Sequence, residues 1–196
     1  MLATLAQEIR DELVALSSRY GVPVLRAVEI DGKEFDPLNR RDRLGEVCMV
    51  IRRRTGRLLT AIKTFYPAGA YRLLTGGIGQ GESILGGLAR EVREETGLET
   101  EVRRFLAVVS YTRAGTAVFH TFAFLLDDVG GALRAGDPEE RVAAFREIRP
   151  AELPALARRL AGLDGEAAAI GGNWRDWGRF RAVIHEVVWQ ALGEPR

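Results

Sequence analysis

The spacing of apolar residues predicts helices at both ends of the chain. Over residues 2–18, leucine and isoleucine recur every three or four positions, which is the period of an amphipathic helix. A shorter helix is predicted at residues 150–160. Near the C-terminus, apolar residues between Trp177 and Ala191 share one helical face. Asn173 is suited to cap the start of that helix, because its side chain accepts backbone N–H groups.

Runs rich in β-branched and aromatic residues predict strands between these helices. Residues 24–30 form the first run, an Asp-Gly pair at residues 31–32 is a preferred hairpin turn, and residues 33–35 begin the return strand. A polar linker that contains a proline follows. We therefore interpret residues 1–43 as an N-terminal extension made of a helix and a β-hairpin, and residues 44–196 as the main domain with its C-terminal helix.

The main domain shows further strand patterns on both sides of a central helix. The predicted strands cover residues 46–53, 58–63, 71–74, 102–112, 117–126 and 142–148. A Gly-rich stretch at residues 76–81 leads into a helix predicted over residues 83–96, which Gly97 is placed to end. This order of elements indicates an α+β fold, in which helices pack on a mixed β-sheet.

Composition and charge narrow the class of protein. The chain of 196 residues is 46% hydrophobic and carries a net charge of +1, so it can bury a sizeable core and presents no global field for nucleic acid or membrane. Its single cysteine excludes a disulfide framework, and no apolar run reaches the ~18 residues of a membrane span. The first residues carry acids inside the apolar pattern and lack the basic start of a secretory signal, so a cytoplasmic protein is expected.

The candidate chemistry lies on the central helix. Glu91, Glu94 and Glu95 stand at i, i+3 and i+4, so one helical face presents all three carboxylates. Each like-charged pair at this spacing costs about 0.2 to 0.5 kcal/mol, and two of the acids lie in the last turn, where the helix dipole disfavours them. A cation would remove this conflict. Carboxylate oxygens without His or Cys suit Mg²⁺, Mn²⁺ or Ca²⁺ rather than zinc, although arginine partners on a solvated face are the alternative.

The glycines before this helix extend the argument to the substrate. Glycine permits close approach of the backbone to a ligand, and amide groups at a helix start can meet an anion. Mg²⁺ typically binds through a few carboxylates together with substrate phosphates. The combination predicts a phosphate-bearing substrate that a metal ion bridges to the protein.

The spacing of the whole segment is more specific than its acids alone. Residues 76–98, GGIGQGESILGGLAREVREETGL, follow the pattern Gly-x5-Glu-x7-Arg-Glu-Val-x-Glu-Glu-x-Gly-Leu. This segment resembles the signature box of the Nudix hydrolase family at every defining position, and the flanking strand order extends the likeness loosely over residues 44–155. The resemblance implies an α/β/α sandwich that binds Mg²⁺ or Mn²⁺ and hydrolyses a nucleoside diphosphate linked to another moiety.

The resemblance also implies roles for individual residues. Glu94 and Glu95 match the principal metal ligands, and Glu91 matches a further ligand or a water-activating residue. Arg90 would orient these carboxylates, and Glu82 would assist the metal site.

Other implied roles fall on the loop before the helix and on a segment after it. Gly76 and Gly77 would let the tight loop meet the substrate, and the backbone carbonyl of Thr75 would add a metal ligand, although many members have another glycine at this position. Glu139 and Glu140 are the downstream candidates for the general base, with Glu140 preferred. A charged surface turn is the alternative interpretation of these two glutamates.

Substrate contacts outside the box are less defined by the sequence. Tyr71 could stack on a base, and Arg113, at a predicted hairpin tip, could contact substrate. Strand packing and solvent exposure are the respective alternatives.

Partners and competing functions follow from the same resemblance. The N-terminal extension is similar to those that mediate dimerisation in the ADP-ribose branch, so a homodimer acting on ADP-ribose or a nucleotide sugar is expected, without nucleic-acid or membrane partners. Dinucleoside polyphosphates, coenzyme A and oxidised nucleotides stay open as substrates. A non-hydrolytic nucleotide-binding module on the same fold is the alternative function. An isopentenyl diphosphate isomerase is disfavoured, because the setting of Cys48 does not resemble its catalytic cysteine.

Overall fold

A computed structural model describes residues 5–31, 35–40, 42–135 and 137–193. Four helices and nine strands are found in these ranges. The helices are α1 (Gln7–Tyr20), α2 (Ile84–Thr96), α3 (Leu153–Ala161) and α4 (Trp174–Gly193). The strands are β1 (Val24–Glu29), β2 (Arg43–Arg52), β3 (Leu58–Lys63), β4 (Leu74–Gly79), β5 (Leu98–Arg113), β6 (Thr116–Gly131), β7 (Val142–Ile148), β8 (Glu166–Ala167) and β9 (Gly172–Asn173). None of the helices in the described ranges is long and apolar enough to cross a bilayer.

Seven of these strands form one mixed sheet. Its order is β1-β5-β6-β2-β3-β7, and β4 pairs with β2 beside this path. The β1–β5 and β2–β6 pairs are parallel, whereas β5–β6, β2–β3, β2–β4 and β3–β7 are antiparallel. The predicted α+β class with a mixed sheet is therefore confirmed.

Both faces of the sheet are buried, which strand β2 shows clearly. Val47 and Met49 belong to the apolar cluster that contains residues of α1 and α2. Cys48 and Val50 point the other way, into the cluster that contains residues of α3 and α4. Because successive side chains of a strand alternate between faces, a run that is apolar throughout is required at this position. The helices thus cover the sheet on both sides, as in an α/β/α sandwich.

Helix α2 is fixed at both ends by specific groups. The Ser83 side chain caps its start, and Gly97 ends it in the left-handed conformation, with φ of 65°. A second cap, which is a carboxylate, comes from α1. There, Glu12 accepts the backbone N–H groups of Ile84 at 3.0 Å and Leu85 at 3.2 Å. The N-terminal helix therefore helps to position the helix that carries the signature glutamates.

Strand β1 has a partner in the main sheet that the sequence did not predict. It pairs parallel with β5, from Val24 opposite Ala107 to Glu29 opposite Thr112, and forms an edge of the main sheet. The predicted turn and return strand fall mostly on residues 32–34, which lie outside the described residues. Phe35, the one described residue of the predicted return strand, belongs to no strand. A local Asp-Gly signal indicates a turn but does not determine which strand β1 joins.

The Gly-rich stretch also differs from the prediction, because most of it is strand rather than loop. β4 begins at Leu74 and continues to Gly79, paired antiparallel with β2. Before it, Arg72 forms only an isolated bridge with Ala61 instead of a strand over residues 71–74. Glycine disfavours strands in general, but the pairing with β2 overrides that preference here.

Candidate active site

An open cleft lies where the ends of β2, β3 and β4 meet the middle of α2 and the side of α4. Its volume is about 270 Å³, near the lower end of small-molecule sites. The residues that line it include Glu46, Lys63, Thr75, Gly76, Gly77, Glu91, Glu139, Glu140, Trp177 and Arg181. The cleft therefore joins the signature segment to residues from both ends of the chain.

Three carboxylates form a cluster at this cleft. Glu91 and Glu95 lie one turn apart on α2, and Glu140 reaches them from the short 3₁₀ helix at Pro138–Glu140. One ligand atom from each lies within 4.8 Å of the others. The side chains are 7%, 2% and 25% exposed, respectively, and Glu95 Oε1 has no hydrogen-bond partner. A set of buried carboxylate oxygens with an unfilled hydrogen-bonding position fits a hard divalent cation.

The segment that carries Glu140 is held in place by local contacts. Asp137 caps the 3₁₀ helix, since its side chain accepts the backbone N–H of Glu139 at 2.8 Å. The backbone N–H of Asp137 in turn donates to the carbonyl oxygen of Glu94 at 2.9 Å. The loop is thereby attached to the last turn of α2, which brings Glu140 rather than Glu139 into the cluster.

Lys63, the last residue of β3, places its ammonium beside two of these carboxylates. Its Nζ lies 3.2 Å from Glu95 Oε1 and 2.8 Å from Glu140 Oε2. Burial raises the pKa of Glu95 to about 7 despite the opposing charges of Lys63 and Arg72. Burial would also raise the pKa of Glu140, but the Lys63 ammonium outweighs it and the net shift is downward. The two carboxylates therefore differ in their readiness to carry a charge.

Arg90 connects the remaining signature acids. It donates to both oxygens of Glu82 at 2.9 and 2.8 Å and to the carbonyl of Gly77 at 2.8 Å. Its Nη1 donates to Glu91 Oε1 and to Glu94 Oε2, each at 2.9 Å. Glu94 is thus held by Arg90 and lies outside the three-carboxylate cluster, while Glu91 belongs to both groups. Hydrogen bonding from Arg90 lowers the pKa of Glu82.

Side chains approach closely at Gly76 and Gly77, the two glycines predicted to meet the substrate, which lie on β4. A Cβ atom at Gly76 would overlap the carboxyl group of Glu91, so only glycine lets that carboxylate lie against β4. At Gly77, a Cβ would come within 2.7 Å of the Arg43 guanidinium. Thr75 lines the cleft next to them, and its hydroxyl accepts a hydrogen bond from Arg72 at 2.9 Å.

The two predicted substrate contacts outside the box do not line this cleft. The ring of Tyr71 packs under the guanidinium of Arg146, whose Cζ lies 4.4 Å from the ring centroid. Arg113 is at the tip of the β5–β6 hairpin, opposite Thr116. The structure therefore does not bring either side chain to the carboxylate cluster.

A buried ion pair in the cleft was not predicted from the sequence. Nη1 of Arg181 on α4 donates to both carboxylate oxygens of Glu46 on β2, at 2.7 and 2.8 Å. The Thr121 hydroxyl donates to Glu46 Oε1 at 2.9 Å. An acid within the apolar run of β2 is a signal that could have marked Glu46. Its partner lies 135 residues away, which no local pattern reveals.

Comparison with known proteins agrees with this fold. Residues 42–167 match the family model described as the NUDIX domain. Because this match covers well over half of the chain, the protein belongs to the Nudix hydrolase family.

One curated relative and several solved structures are similar to the chain. The ADP-ribose pyrophosphatase of Methanocaldococcus jannaschii is 36% identical over 90 residues, which are 45% of this chain and 52% of that relative. The match thus spans about half the length of the relative.

Among solved structures, a UDP-X diphosphatase is 16% identical with a TM-score of 0.49, and the match covers 96% of this chain and 71% of the other. An ADP-ribose pyrophosphatase from Streptococcus suis is 13% identical with a TM-score of 0.45, and the match covers 77% and 92%.

Proposed function

We propose that this protein is a divalent-metal-dependent diphosphatase that hydrolyses the phosphoanhydride of a nucleoside diphosphate linked to another moiety. The observation that carries the proposal is the convergence of Glu91, Glu95 and Glu140 in one cluster, from two elements that are distant in sequence, with Glu91 and Glu140 lining the cleft. The second support is Glu95 Oε1, which is buried without a hydrogen bond and has only the ion pair with Lys63, whereas a buried carboxylate oxygen normally accepts a hydrogen bond.

ADP-ribose or a nucleotide sugar is the substrate class we propose. The support is the M. jannaschii relative, whose name is ADP-ribose pyrophosphatase. Cations near the cleft suit the charge of a diphosphate. The Arg43 guanidinium packs beside Gly77, and the Arg141 guanidinium lies over the Phe65 ring, 4.2 Å from its centroid.

The carboxylate cluster would hold Mg²⁺ or Mn²⁺ through Glu91, Glu95 and Glu140, with the Thr75 carbonyl as a further candidate. When bound, the ion neutralises phosphoryl oxygens and acidifies water. Glu140 is our assignment for the group that accepts the proton of the attacking water, since it is the most exposed carboxylate of the cluster. Arg90 fixes the orientation of Glu91 and keeps Glu94 close to the site.

We also propose that the protein is a homodimer that associates through its N-terminal region. Val14 on α1, Val22 in the following loop and Leu25 on β1 are 71%, 77% and 51% exposed, which is high for large apolar side chains. β1 is moreover an edge strand of the sheet. Light scattering coupled to size-exclusion chromatography tests this, with Val14→Asp expected to give a monomer.

A product-mass screen tests the proposed activity. The protein is incubated with ADP-ribose, nucleotide sugars, dinucleoside polyphosphates and coenzyme A, each with Mg²⁺, with Mn²⁺ or with EDTA. We expect release of a nucleoside monophosphate and a second phosphomonoester, only when metal is present. Reaction in H₂¹⁸O shows which phosphorus is attacked. Binding without hydrolysis of any compound would contradict the proposal and favour the nucleotide-binding module.

A matched pair of variants tests the assignment of the base. Glu140→Gln removes the carboxylate in the cluster, and Glu139→Gln changes its exposed neighbour by the same atoms. We expect at least a hundredfold loss of turnover for Glu140→Gln and less than a threefold loss for Glu139→Gln. Equal effects of the two changes would refute the assignment.

A further inference from the structure

The contacts of Lys63 set it apart from the other cations of the cleft. Its ammonium contacts Glu95 at 3.2 Å and Glu140 at 2.8 Å, and the side chain is 17% exposed. These are two of the three residues whose oxygens cluster within 4.8 Å. Strand β3 fixes the backbone at this point, since Lys63 pairs with Val142 of β7. The ammonium is therefore held in direct contact with the carboxylate cluster by a side chain whose backbone is fixed.

Arg72 is also near the cluster, but other groups already bind it. Its guanidinium donates to the Leu73 carbonyl at 2.8 Å, to the Thr75 hydroxyl at 2.9 Å and to the Tyr66 hydroxyl at 3.1 Å. These bonds hold it in the wall of the cleft. In the part of the chain that the structure describes, Lys63 is thus the cation that contacts both Glu95 and Glu140.

An ammonium and a divalent cation cannot use the same carboxylates without cost. A hard divalent ion such as Mg²⁺ binds oxygen at about 2.1 Å and requires lone pairs directed at it. The Lys63 ammonium lies 3.2 Å from Glu95 Oε1 as an ion pair and donates a hydrogen bond to Glu140 at 2.8 Å, so it occupies the space beside these oxygens and repels the incoming positive charge. For metal to bind at Glu95 and Glu140, Lys63 must therefore give up at least one of its contacts.

We propose that Lys63 is a resident counter-ion that competes with the metal for Glu95 and Glu140 and thereby weakens metal binding. In the metal-free protein it offsets the repulsion between carboxylates and keeps the site assembled. This inference rests on the proposed function, because it takes the cluster to be the metal site. It makes Lys63 a positioning residue that sets metal affinity.

Metal affinity of Lys63 variants tests this without any turnover. Free Mn²⁺ is titrated into the full-length protein and measured by electron paramagnetic resonance, with no substrate present. Lys63→Met keeps the length of the side chain and removes its charge. We expect it to bind Mn²⁺ at least tenfold more tightly than the wild type, whereas Lys63→Arg binds no more tightly than the wild type.

A matched control separates local competition from overall charge. Arg57→Met removes one positive charge at the exposed start of the same hairpin arm, six residues and about 20 Å of strand away from Lys63. We expect it to change the Mn²⁺ affinity less than twofold. If it tightens binding as much as Lys63→Met, the effect is general electrostatics and the inference is wrong.

The remaining outcomes distinguish this inference from the proposed function. Unchanged or weaker Mn²⁺ binding by Lys63→Met, in a variant that folds by circular dichroism, overturns the role of Lys63 alone. Lys63→Gln provides the same measurement if Lys63→Met does not fold. Absence of Mn²⁺ binding in the wild type and in both neutral variants overturns the metal site, and the inference with it.

Discussion

Two buried carboxylates have opposite surroundings: Glu46 lines the cleft, and Glu95 lies behind it, in contact with the lining residue Lys63. Glu46 is bound on both oxygens by Arg181 and receives a further hydrogen bond from Thr121. Glu95 is equally buried, yet one of its oxygens has no hydrogen-bond partner and burial raises its pKa to about 7. The charge and the hydrogen-bonding capacity of Glu46 are therefore satisfied by protein groups, whereas those of Glu95 are satisfied only in part. A buried carboxylate that lacks a hydrogen bond and lies next to two others is suited to bind a cation.

The largest effect is expected from breaking the complete pair. Arg181→Met leaves the Glu46 charge buried with Thr121 as its remaining partner, and this should cost about 3 to 5 kcal/mol of folding free energy. Chemical denaturation at pH 7.5 measures the loss.

The double variant Glu46→Leu with Arg181→Met serves as the control. It removes both charges, so we expect it to recover most of the stability. A loss of less than 1 kcal/mol in the single variant would show that Arg181 does not stabilise the buried charge of Glu46.

The second prediction concerns Glu95 and the dependence of the protein's stability on pH. The pKa of Glu95 is raised in the folded state above its unfolded value, so the folded protein holds a proton between about pH 4.5 and 7 that the unfolded chain has released. Its contribution to stability therefore improves as the pH falls from 8 to 5. The change is up to about 3 kcal/mol. Thermal unfolding of metal-free protein across this range measures it.

A difference between variants isolates this contribution from other titrating groups. Glu95→Gln should lose the pH slope and should be more stable than the wild type at pH 8 when metal is absent. Glu101→Gln, an exposed acid on β5, should keep the wild-type slope. If Glu95→Gln is destabilised at pH 8, then Glu95 is already satisfied and resembles Glu46.

A third prediction concerns the space that lets Glu91 join the cluster. Gly76→Ala introduces a methyl group where the Glu91 carboxyl lies, so the helix or the side chain must move, at a cost of about 1 to 3 kcal/mol. Mn²⁺ binding should weaken together with stability. Gly193→Ala, where no atom lies within 4 Å of the added Cβ, should change neither quantity.

The smallest effect is expected at a third carboxylate, Glu12, which is satisfied by backbone amides. Glu12→Ala removes the acceptor for the N–H groups of Ile84 and Leu85, and we expect a loss of about 1 kcal/mol, typical of a helix cap. Hydrogen exchange should speed up at these amides. Glu8→Ala, on the same helix and without these contacts, should leave the two amides as protected as in the wild type.

The sequence predicted the elements better than it predicted their partners. Helix α2 was predicted to within one residue, because Ser83, Gly97 and the apolar stripe are local signals. β1 was predicted as a strand, and the Asp-Gly pair after it indicated a hairpin. Its parallel pairing with β5 was not predicted, because it depends on residues more than 80 positions away. The Gly-rich strand β4 was missed because its stability comes from its pairing with β2.

The site shows the same division between local and long-range information. The signature spacing predicted that Glu91, Glu94 and Glu95 share one helical face, and the contact of Arg90 with Glu94 follows from their i, i+4 spacing. Lys63 and Arg181 carried no such signal, because their contacts with carboxylates depend on the positions of β3 and α4 in the folded protein. Glu140 was chosen over Glu139 without a physical reason that the sequence could supply, whereas the Asp137 cap provides one.

Helix α4 contributes Trp177 and Arg181 to the cleft from beyond residue 167, where the family match ends. The three clustered acids all come from inside that match. Because Arg181 on this helix binds the buried Glu46 on β2, an exchange of the segment after residue 167 between two such proteins has to carry over a matching cation, or the chimera buries an unpaired charge.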